Sequence, residues 1–233
     1  CVSEPEIWLA ARQQQLANTA NEPGNVSRTR LHELQRLTAI RNEDPEVCAG
    51  LTKALKATIT VPTLRMNSMD LHIPFMRGDF NQAMRLIPPS VQQEWGAART
   101  ALLASEEPVD TTFAEWSLRR TGELHAAGVP IAAGTDTPIG WSIPGYSLHT
   151  ELEQYVEVGM TPVEALRSAT VAPAEYFGLE DEMGQLKVGF IADAVLLTGN
   201  PLENIIDTRR VQAVINRGAL LTRAQLDSLI TTR

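Results

Sequence analysis

Cysteine is scarce in this sequence, since Cys1 and Cys48 are the only two among 233 residues. Two cysteines are too few for a framework of disulfides, and their spacing matches no metal-binding motif. Cys48 lies among Val47, Leu51 and Leu55, which are apolar residues at helical spacing. We therefore expect Cys48 to be a small, buried, apolar side chain.

Long apolar runs and an excess of positive charge are missing as well. No run approaches the ~20 apolar residues that a membrane-spanning helix needs, and the formal net charge is -8 at pH 7. An acidic chain without a basic stripe argues against nucleic-acid and membrane partners. The composition, with 43% apolar and 21% charged residues, is that of a folded globular protein.

The sequence also lacks a visible targeting segment, and residue 1 is not a methionine. We expect the chain to have been processed or to start inside a longer protein, so the compartment stays open.

Helical patterns dominate the first ~125 residues. Ser3 and Glu6 predict a capping box, and Asp44-Pro45 predicts an N-cap with a first-turn proline. The β-branched stretch from Thr58 to Leu64 predicts one short buried strand. A second amphipathic helix is marked by Leu31, Leu34 and Leu37.

From Val129 the pattern changes to a strand followed by helices. Residues 129–134 predict a buried strand that ends in Thr135-Asp136-Thr137-Pro138, and Thr161 with Glu164 predicts a capped helix further on. Strand followed by helix is typical of a parallel sheet or barrel. A carboxylate at the carboxyl end of a barrel strand points into the active-site mouth. On this pattern alone a turn or N-cap aspartate is the favoured interpretation of Asp136, and a catalytic carboxylate is the alternative.

The last ~50 residues predict a small β unit. Residues 194–197 and 211–215 read as short strands between glycine-containing turns, and a final helix is expected to start near Thr222.

Four segments together resemble the metal-dependent amidohydrolase superfamily, in particular its imidazolonepropionase-like and prolidase-like branch. They are AAGVPIAAGTDT at 126–137 and the stretches 148–179, 184–202 and 211–229. The stretch KATITVPTLR at 56–65 is similar to the seventh barrel strand of that family, which makes 66–125 a helical insertion before the eighth strand.

The resemblance implies an α/β fold. Residues 1–182 would be the C-terminal portion of a (β/α)8 TIM-type barrel, and residues 183–233 part of a small β-sandwich with a final helix. The implied function is hydrolysis of an amide-type C–N bond, in a non-peptide or dipeptide substrate, by metal-activated water. Asp136 would bind a divalent metal, expected to be zinc, and take a proton from the attacking water.

The remaining ligands of such a metal site are missing from the sequence. The family opens its barrel with a His-x-His pair, and none is present. The histidines are His32, His72, His125 and His149, and the lysines are Lys53, Lys56 and Lys187. A zinc site wants at least three protein ligands, and a complete barrel needs ~250 residues. We therefore expect the other ligands upstream of Cys1 and an inactive isolated fragment. The alternative is a non-catalytic truncated barrel module that acts in binding or interaction.

Three further residues are candidates for contact with a small-molecule or dipeptide substrate. His149 matches the LH-x-EL pattern of the family and either faces the site, orders the loop after Asp136, or is a helix-start histidine bonded to backbone. Trp141 and Tyr146 flank a Gly/Pro loop, where they either shape a pocket or cover the barrel end. A homo-oligomer is left open.

Overall fold

The computed structural model describes residues 1–24, 35–106 and 108–231. Its helices are α1 (Pro5–Asn18), α2 (Pro45–Leu55), α3 (Leu64–Asn67), α4 (Phe80–Ala83), α5 (Pro89–Ala104), α6 (Thr112–Ala126), α7 (Tyr146–Glu157), α8 (Pro162–Ser168), α9 (Val171–Tyr176) and α10 (Arg223–Thr231). The strands are β1 (Ala194–Leu197), β2 (Val211–Asn216) and β3 (Ala219–Thr222), and 3-10 turns lie at Pro74–Met76, Met84–Leu86 and Ile205–Arg209.

The helix starts test the capping predictions. Asp44 caps α2 as predicted, since its carboxylate accepts hydrogen bonds from the backbone N–H groups of Glu46 at 2.8 Å and Val47 at 3.1 Å. The capping box of Thr161 is also confirmed. The predicted box at Ser3 and Glu6 is wrong, because α1 starts after Glu4 without a side-chain cap. Residues 35–41 are helical, whereas Leu31, Leu34 and His32 lie outside the described residues.

Cys48 is buried, with 7% exposure, but its side chain is not a free apolar group as expected. Its sulfur forms a disulfide with Cys1. The backbone N–H of Asp44 donates to the Cys1 carbonyl at 2.9 Å and so places residue 1 against the first turn of α2. Local spacing did not reveal this pairing because the two cysteines are 47 positions apart.

The two predicted barrel strands lie side by side and parallel. Thr60 N–H donates to the Pro130 carbonyl at 2.9 Å, and Ala132 N–H donates to the Thr60 carbonyl at 3.0 Å. The pairing is an isolated bridge rather than two regular strands, because Pro62 and Pro130 supply no N–H donors to extend a ladder.

Helix α7 lies at the centre of the packing. Its Tyr155 is fully buried, and the hydroxyl donates to the Ala132 carbonyl at 3.0 Å. The surrounding core comprises Leu64, Ile131, Leu152, Tyr155, Met160, Ala165 and Ile205. A second core joins Phe75, Phe80, Ala83, Ile87 and Ile143 and lies under the loop that precedes α7.

The C-terminal unit is an antiparallel sheet in the order β1-β2-β3. Strands β1 and β2 and the start of α10 confirm the predictions, whereas β3 was not predicted. Arg217 and Gly218 join β2 to β3 with φ values of 48° and 83°, as a tight hairpin turn requires. The architecture is thus α/β with a small antiparallel sheet, and the division at residues 182 and 183 stays a prediction.

Across the described ranges, no helix combines the length and the apolar character required to cross a membrane.

Candidate active site

Asp136 directly follows the bridged segment 129–134, at its carboxyl end, and is exposed. Its backbone is left-handed, with φ 50°, and its carbonyl accepts a hydrogen bond from Ile139 N–H at 3.0 Å. Hydroxyl groups close the same loop. Thr137 Oγ1 lies 2.7 Å from both Thr135 Oγ1 and Ser142 Oγ, and Ser142 donates to the Thr135 carbonyl at 3.1 Å. The loop therefore holds Asp136 in a defined backbone geometry.

A buried acid, Glu151 on α7, secures the chain just after the other bridged segment. Its side chain is fully buried, and its two carboxylate oxygens accept the backbone N–H groups of Leu64 at 2.9 Å and Arg65 at 2.6 Å. Burial raises the pKa of Glu151 to about 7, against the opposing effect of these two N–H donors. Glu151 thus fixes the first turn of α3.

Arg65 links that turn to the Asp136 loop. It is only 2% exposed, and its guanidinium donates to the carbonyls of Gly140 and, at 3.3 Å, of Ile139. Burial lowers the pKa of Arg65 to about 10, while the negative charges of Glu151 and Asp136 act in the opposite direction. Arg65 therefore remains a cation at neutral pH, close enough to Asp136 for their charges to interact.

The sequence analysis missed both Glu151 and Arg65. Glu151 stands in the LH-x-EL stretch directly before Leu152, which is buried in the core. A carboxylate next to a core position was the available signal, but its partners lie 86 and 87 positions away.

His149 faces the C-terminal unit. Its Nδ1 lies 3.0 Å from Thr208 Oγ1, and that hydroxyl donates its proton to the Ile205 carbonyl at 2.8 Å. The hydroxyl has only one proton, so Nδ1 is the donor to Thr208 and Nε2 carries the free lone pair. Burial, with the Arg209 charge second, lowers the pKa of His149 to about 4, and the ring is neutral at pH 7. A role in substrate binding stays a prediction.

Trp141 and Tyr146 pack against the segment between the two bridged stretches. The Trp141 ring centre is 5.2 Å from that of Phe75 and 5.4 Å from that of Trp95. The Tyr146 hydroxyl donates to Asp79 Oδ1 at 2.7 Å, and burial together with this bond raises its pKa to about 12. Both alternatives, covering the barrel end and contacting substrate, stay predictions for these two rings.

The residues around Asp136 do not by themselves fit a divalent metal. Among the described residues, the only group of three potential ligand side chains is Cys1, Glu43 and Cys48, and Asp136 is not part of it. One exposed carboxylate beside a cationic arginine falls short of the three protein ligands that zinc requires.

Comparisons with known proteins show what part of this chain is similar to. The sequence model of the amidohydrolase family matches residues 117–221. Ochratoxinase from Aspergillus niger is 46% identical over 81 residues, which are 34% of this chain and 16% of that protein. Imidazolonepropionase from Aeromonas hydrophila is 35% identical over 91 residues, or 38% of this chain and 22% of the relative.

Solved structures show the same relationship. A Xaa-Pro dipeptidase with bound methionine superposes with a TM-score of 0.52 at 22% identity, covering 81% of this chain and 42% of the other. The A. niger ochratoxinase gives 0.50 at 26% identity, with 81% and 39% coverage. The match thus spans less than half of each structure. Residues 117–221 are therefore similar to the amidohydrolase family.

Proposed function

We propose that this chain supplies part of the active site of a hydrolase that cleaves an amide-type C–N bond, with Asp136 as general base. The observation that carries the proposal is the position of Asp136 at the carboxyl end of two parallel segments, beside the buried Arg65. In barrel enzymes, this end of the strands bears the catalytic groups. We take the two bridged segments to be the last two barrel strands, as the amidohydrolase relatives suggest.

The proposed chemistry needs one proton acceptor. The Asp136 carboxylate takes a proton from the water that attacks the carbonyl carbon, and it returns the proton to the nitrogen as the C–N bond breaks. The products are a carboxylic acid and an amine. Asp136 is also proposed as one ligand of a divalent ion, expected to be zinc, with the other ligands outside the described residues.

The substrate class follows from the names of the relatives. A Xaa-Pro dipeptidase acts on a dipeptide, and an imidazolonepropionase is named for a ring compound. We propose a dipeptide or a cyclic amide as the substrate.

Replacing Asp136 with Asn tests the proposal. Asn has nearly the same shape but cannot accept the proton, so we expect kcat to fall by ~10²–10⁴ while KM changes little. Steady-state kinetics on dipeptides and cyclic amides is the measurement, using the chain with any in-frame sequence that precedes the Cys1 codon. Asp181→Asn, at an exposed position in a turn, is the control and should keep full activity. Equal turnover of Asp136→Asn and the parent would show that Asp136 is a turn residue.

A non-catalytic binding module is the second candidate, favoured by the lack of further ligands around Asp136 in the described part of the chain. DNA upstream of the Cys1 codon separates the two. An in-frame His-x-His supports the hydrolase, whereas a promoter and start codon support the module.

A further inference from the structure

The one cluster of potential metal ligands among the described residues lies where the start of α2 meets α6. Glu43 Oε1 is 3.6 Å from Cys1 Sγ and 3.4 Å from Cys48 Sγ. The two sulfurs are joined as a disulfide, which has no hydrogen to donate to a carboxylate. In the disulfide form the Glu43 oxygen thus faces both sulfurs without a hydrogen bond to either, and reduction frees both sulfurs to share a ligand with it.

The Glu43 carboxylate is held in this position by two donors. Trp116 Nε1 donates to Oε1 at 3.0 Å, and Arg119 Nη2 donates to Oε2 at 2.7 Å. Burial acts to raise the pKa of Glu43, but these hydrogen bonds outweigh it and the net shift is downward. Donors of this kind orient the carboxylates that bind metals.

We propose that the reduced chain binds one Zn²⁺ through the thiolates of Cys1 and Cys48 and the carboxylate of Glu43. Around tetrahedral zinc, with Zn–S about 2.3 Å and Zn–O about 2.0–2.2 Å, sulfur and oxygen ligands lie about 3.5–3.7 Å apart. The two observed separations of 3.6 and 3.4 Å are close to this spacing. The sulfurs themselves must move apart after reduction, to about 3.8 Å.

Charge and access also suit the ion. Two thiolates and a carboxylate carry three negative charges and zinc carries two positive ones, and Arg119, which pairs with both Glu43 and Glu123, lies beside the remaining negative charge. A cavity of about 520 Å³, lined by Glu43 and Cys48 among others, adjoins the cluster. It gives the ion a path of entry and a water the fourth ligand position.

The disulfide and the zinc site exclude each other. A trialkylphosphine reduces the bond: the phosphine gives two electrons to the disulfide, water gives the two protons, and the phosphine takes the oxygen of that water to become its oxide. Binding of Zn²⁺ then displaces the two thiol protons. The cluster is thus a metal site that opens only under reducing conditions, and it does not depend on the role proposed for Asp136.

The test compares the oxidised and phosphine-reduced forms of the full wild-type chain. After incubation with Zn²⁺ and gel filtration, we expect about one zinc per reduced chain and less than about a tenth of that per oxidised chain. Co²⁺ in place of zinc should give a thiolate-to-cobalt absorption band only in the reduced form. Because one polypeptide serves both arms, the comparison does not depend on the folding of a variant.

Four variants locate the site. Cys48→Ser should lose the cobalt band and retain at least about tenfold less zinc, and Glu43→Gln should weaken retention. Glu46→Gln, an exposed acid in the first turn of α2, and Asp136→Asn should bind as the parent does. The proposal is overturned if the reduced wild type retains no zinc, or if retention survives in Cys48→Ser. The proposal is also overturned if Asp136→Asn is the only variant that loses zinc, because the ion would then bind at Asp136.

Discussion

Glu151 and Arg65 bury opposite charges where the chain leaves the first bridged segment, and each depends on the other. Glu151 accepts two backbone N–H groups there, and the Arg65 guanidinium reaches the carbonyls of the Asp136 loop. Removing one member of a buried charge pair leaves the other uncompensated, which costs more than the pair contributes when intact. Glu151 therefore holds the start of α3 directly, and through Arg65 it also holds the loop that carries Asp136.

Glu151→Gln should lower the free energy of unfolding by about 2–4 kcal/mol. The glutamine oxygen can still accept one backbone N–H, but its amide group faces the second N–H, and the buried Arg65 loses a nearby negative charge. Urea unfolding followed by circular dichroism measures the change. Glu157→Gln is a matched control on the same helix, where the side chain is 47% exposed, and it should cost less than about 1 kcal/mol. Equal effects of the two variants would show that the Glu151 contacts are energetically minor.

The lowered pKa of His149 should make the free energy of unfolding depend on pH. In the unfolded chain it takes a proton near pH 6.5, but in the folded chain only near pH 4. Between these values the unfolded state binds more protons, so the free energy of unfolding falls as the pH drops from 6.5 toward 4. The expected loss is on the order of 1–3 kcal/mol after allowance for partial exposure of the ring.

Glu151 changes the free energy of unfolding in the opposite direction over nearly the same pH range. Its pKa is about 7 in the folded chain, so its contribution to stability falls as the pH rises from about 4.5 to 7. His149→Asn should remove the effect of the histidine and leave that of Glu151. The free energy of unfolding of the variant should therefore decrease from pH 4.5 to pH 7. Unfolding curves at several pH values test this. A parallel pH profile for parent and variant would contradict the folded-state pKa of His149.

Single residues of the site could be predicted where a local motif contains them. Asp136 follows a strand-like stretch in a GTD sequence, and both properties are visible within ten residues. Glu151 and Arg65 could not be predicted, because the carboxylate function of Glu151 is defined by backbone N–H groups 86 and 87 positions away.

At the scale of elements, the two bridged segments show what a strand-like sequence pattern predicts and what it does not. Residues 58–64 and 129–134 have the β-branched, apolar composition of buried strands, and they do pair in parallel. A regular ladder needs a donor at alternate positions, which the prolines interrupt. Composition thus predicted that each segment is a strand, the resemblance to the amidohydrolases predicted that they are successive strands, and neither predicted the length of the ladder.

Gly134→Ala should disturb this pairing. A Cβ on residue 134 would lie 2.4 Å from Cγ1 of Val61, and the stiff β-branched side chain has little freedom to turn away. We expect a loss of about 1–3 kcal/mol in the free energy of unfolding.

The double variant Val61→Ala, Gly134→Ala supplies the control. It removes the clashing methyl group, so it should recover most of the loss, and the coupling between the two substitutions is read from a double-mutant cycle of urea unfolding. Simple additivity of the two substitutions would show that the segments are not packed at this point.

At the scale of the whole molecule, one ionic network joins three parts of the chain. Glu153 on α7 lies 2.7 Å from Arg209 Nε and 2.8 Å from Arg77 Nη1, and Arg209 Nη1 lies 3.4 Å from Asp79. Arg209 also donates to Thr150 Oγ1 at 2.8 Å. Because Arg77 and Asp79 precede α4 and Arg209 ends the 3-10 turn before β2, the network ties the C-terminal unit to the rest.

Arg209→Lys should loosen that unit while keeping the charge. A lysine has one ammonium group and cannot reach Glu153, Asp79 and Thr150 together as the guanidinium does. Limited proteolysis with mass spectrometry should show cleavage between residues 179 and 193 at least severalfold faster than in the parent. Arg210→Lys is the control, since its side chain is 60% exposed and pairs only with the nearby Asp207 in the described structure. Equal cleavage rates in all three proteins would contradict a role for Arg209 in docking.

Long-range pairings are the part of the molecule that the sequence did not reveal. Strands β1 and β2, the start of α10 and the capped start of α8 follow local patterns and were predicted, because turns and caps are encoded within a few residues. The Cys1–Cys48 disulfide, the Arg209 network and the Glu151 contacts join distant positions that no periodic pattern marks.

The central place of α7 has a consequence for local opening. The helix bonds to the Asp136 side of the core through Tyr155, to α3 through Glu151, and to the C-terminal unit through His149 and Glu153. No one of these neighbours can detach without exposing polar groups buried on α7. Sub-global fluctuations should therefore leave α7 closed, and its amides should exchange with solvent only in the same rare event that unfolds the whole chain.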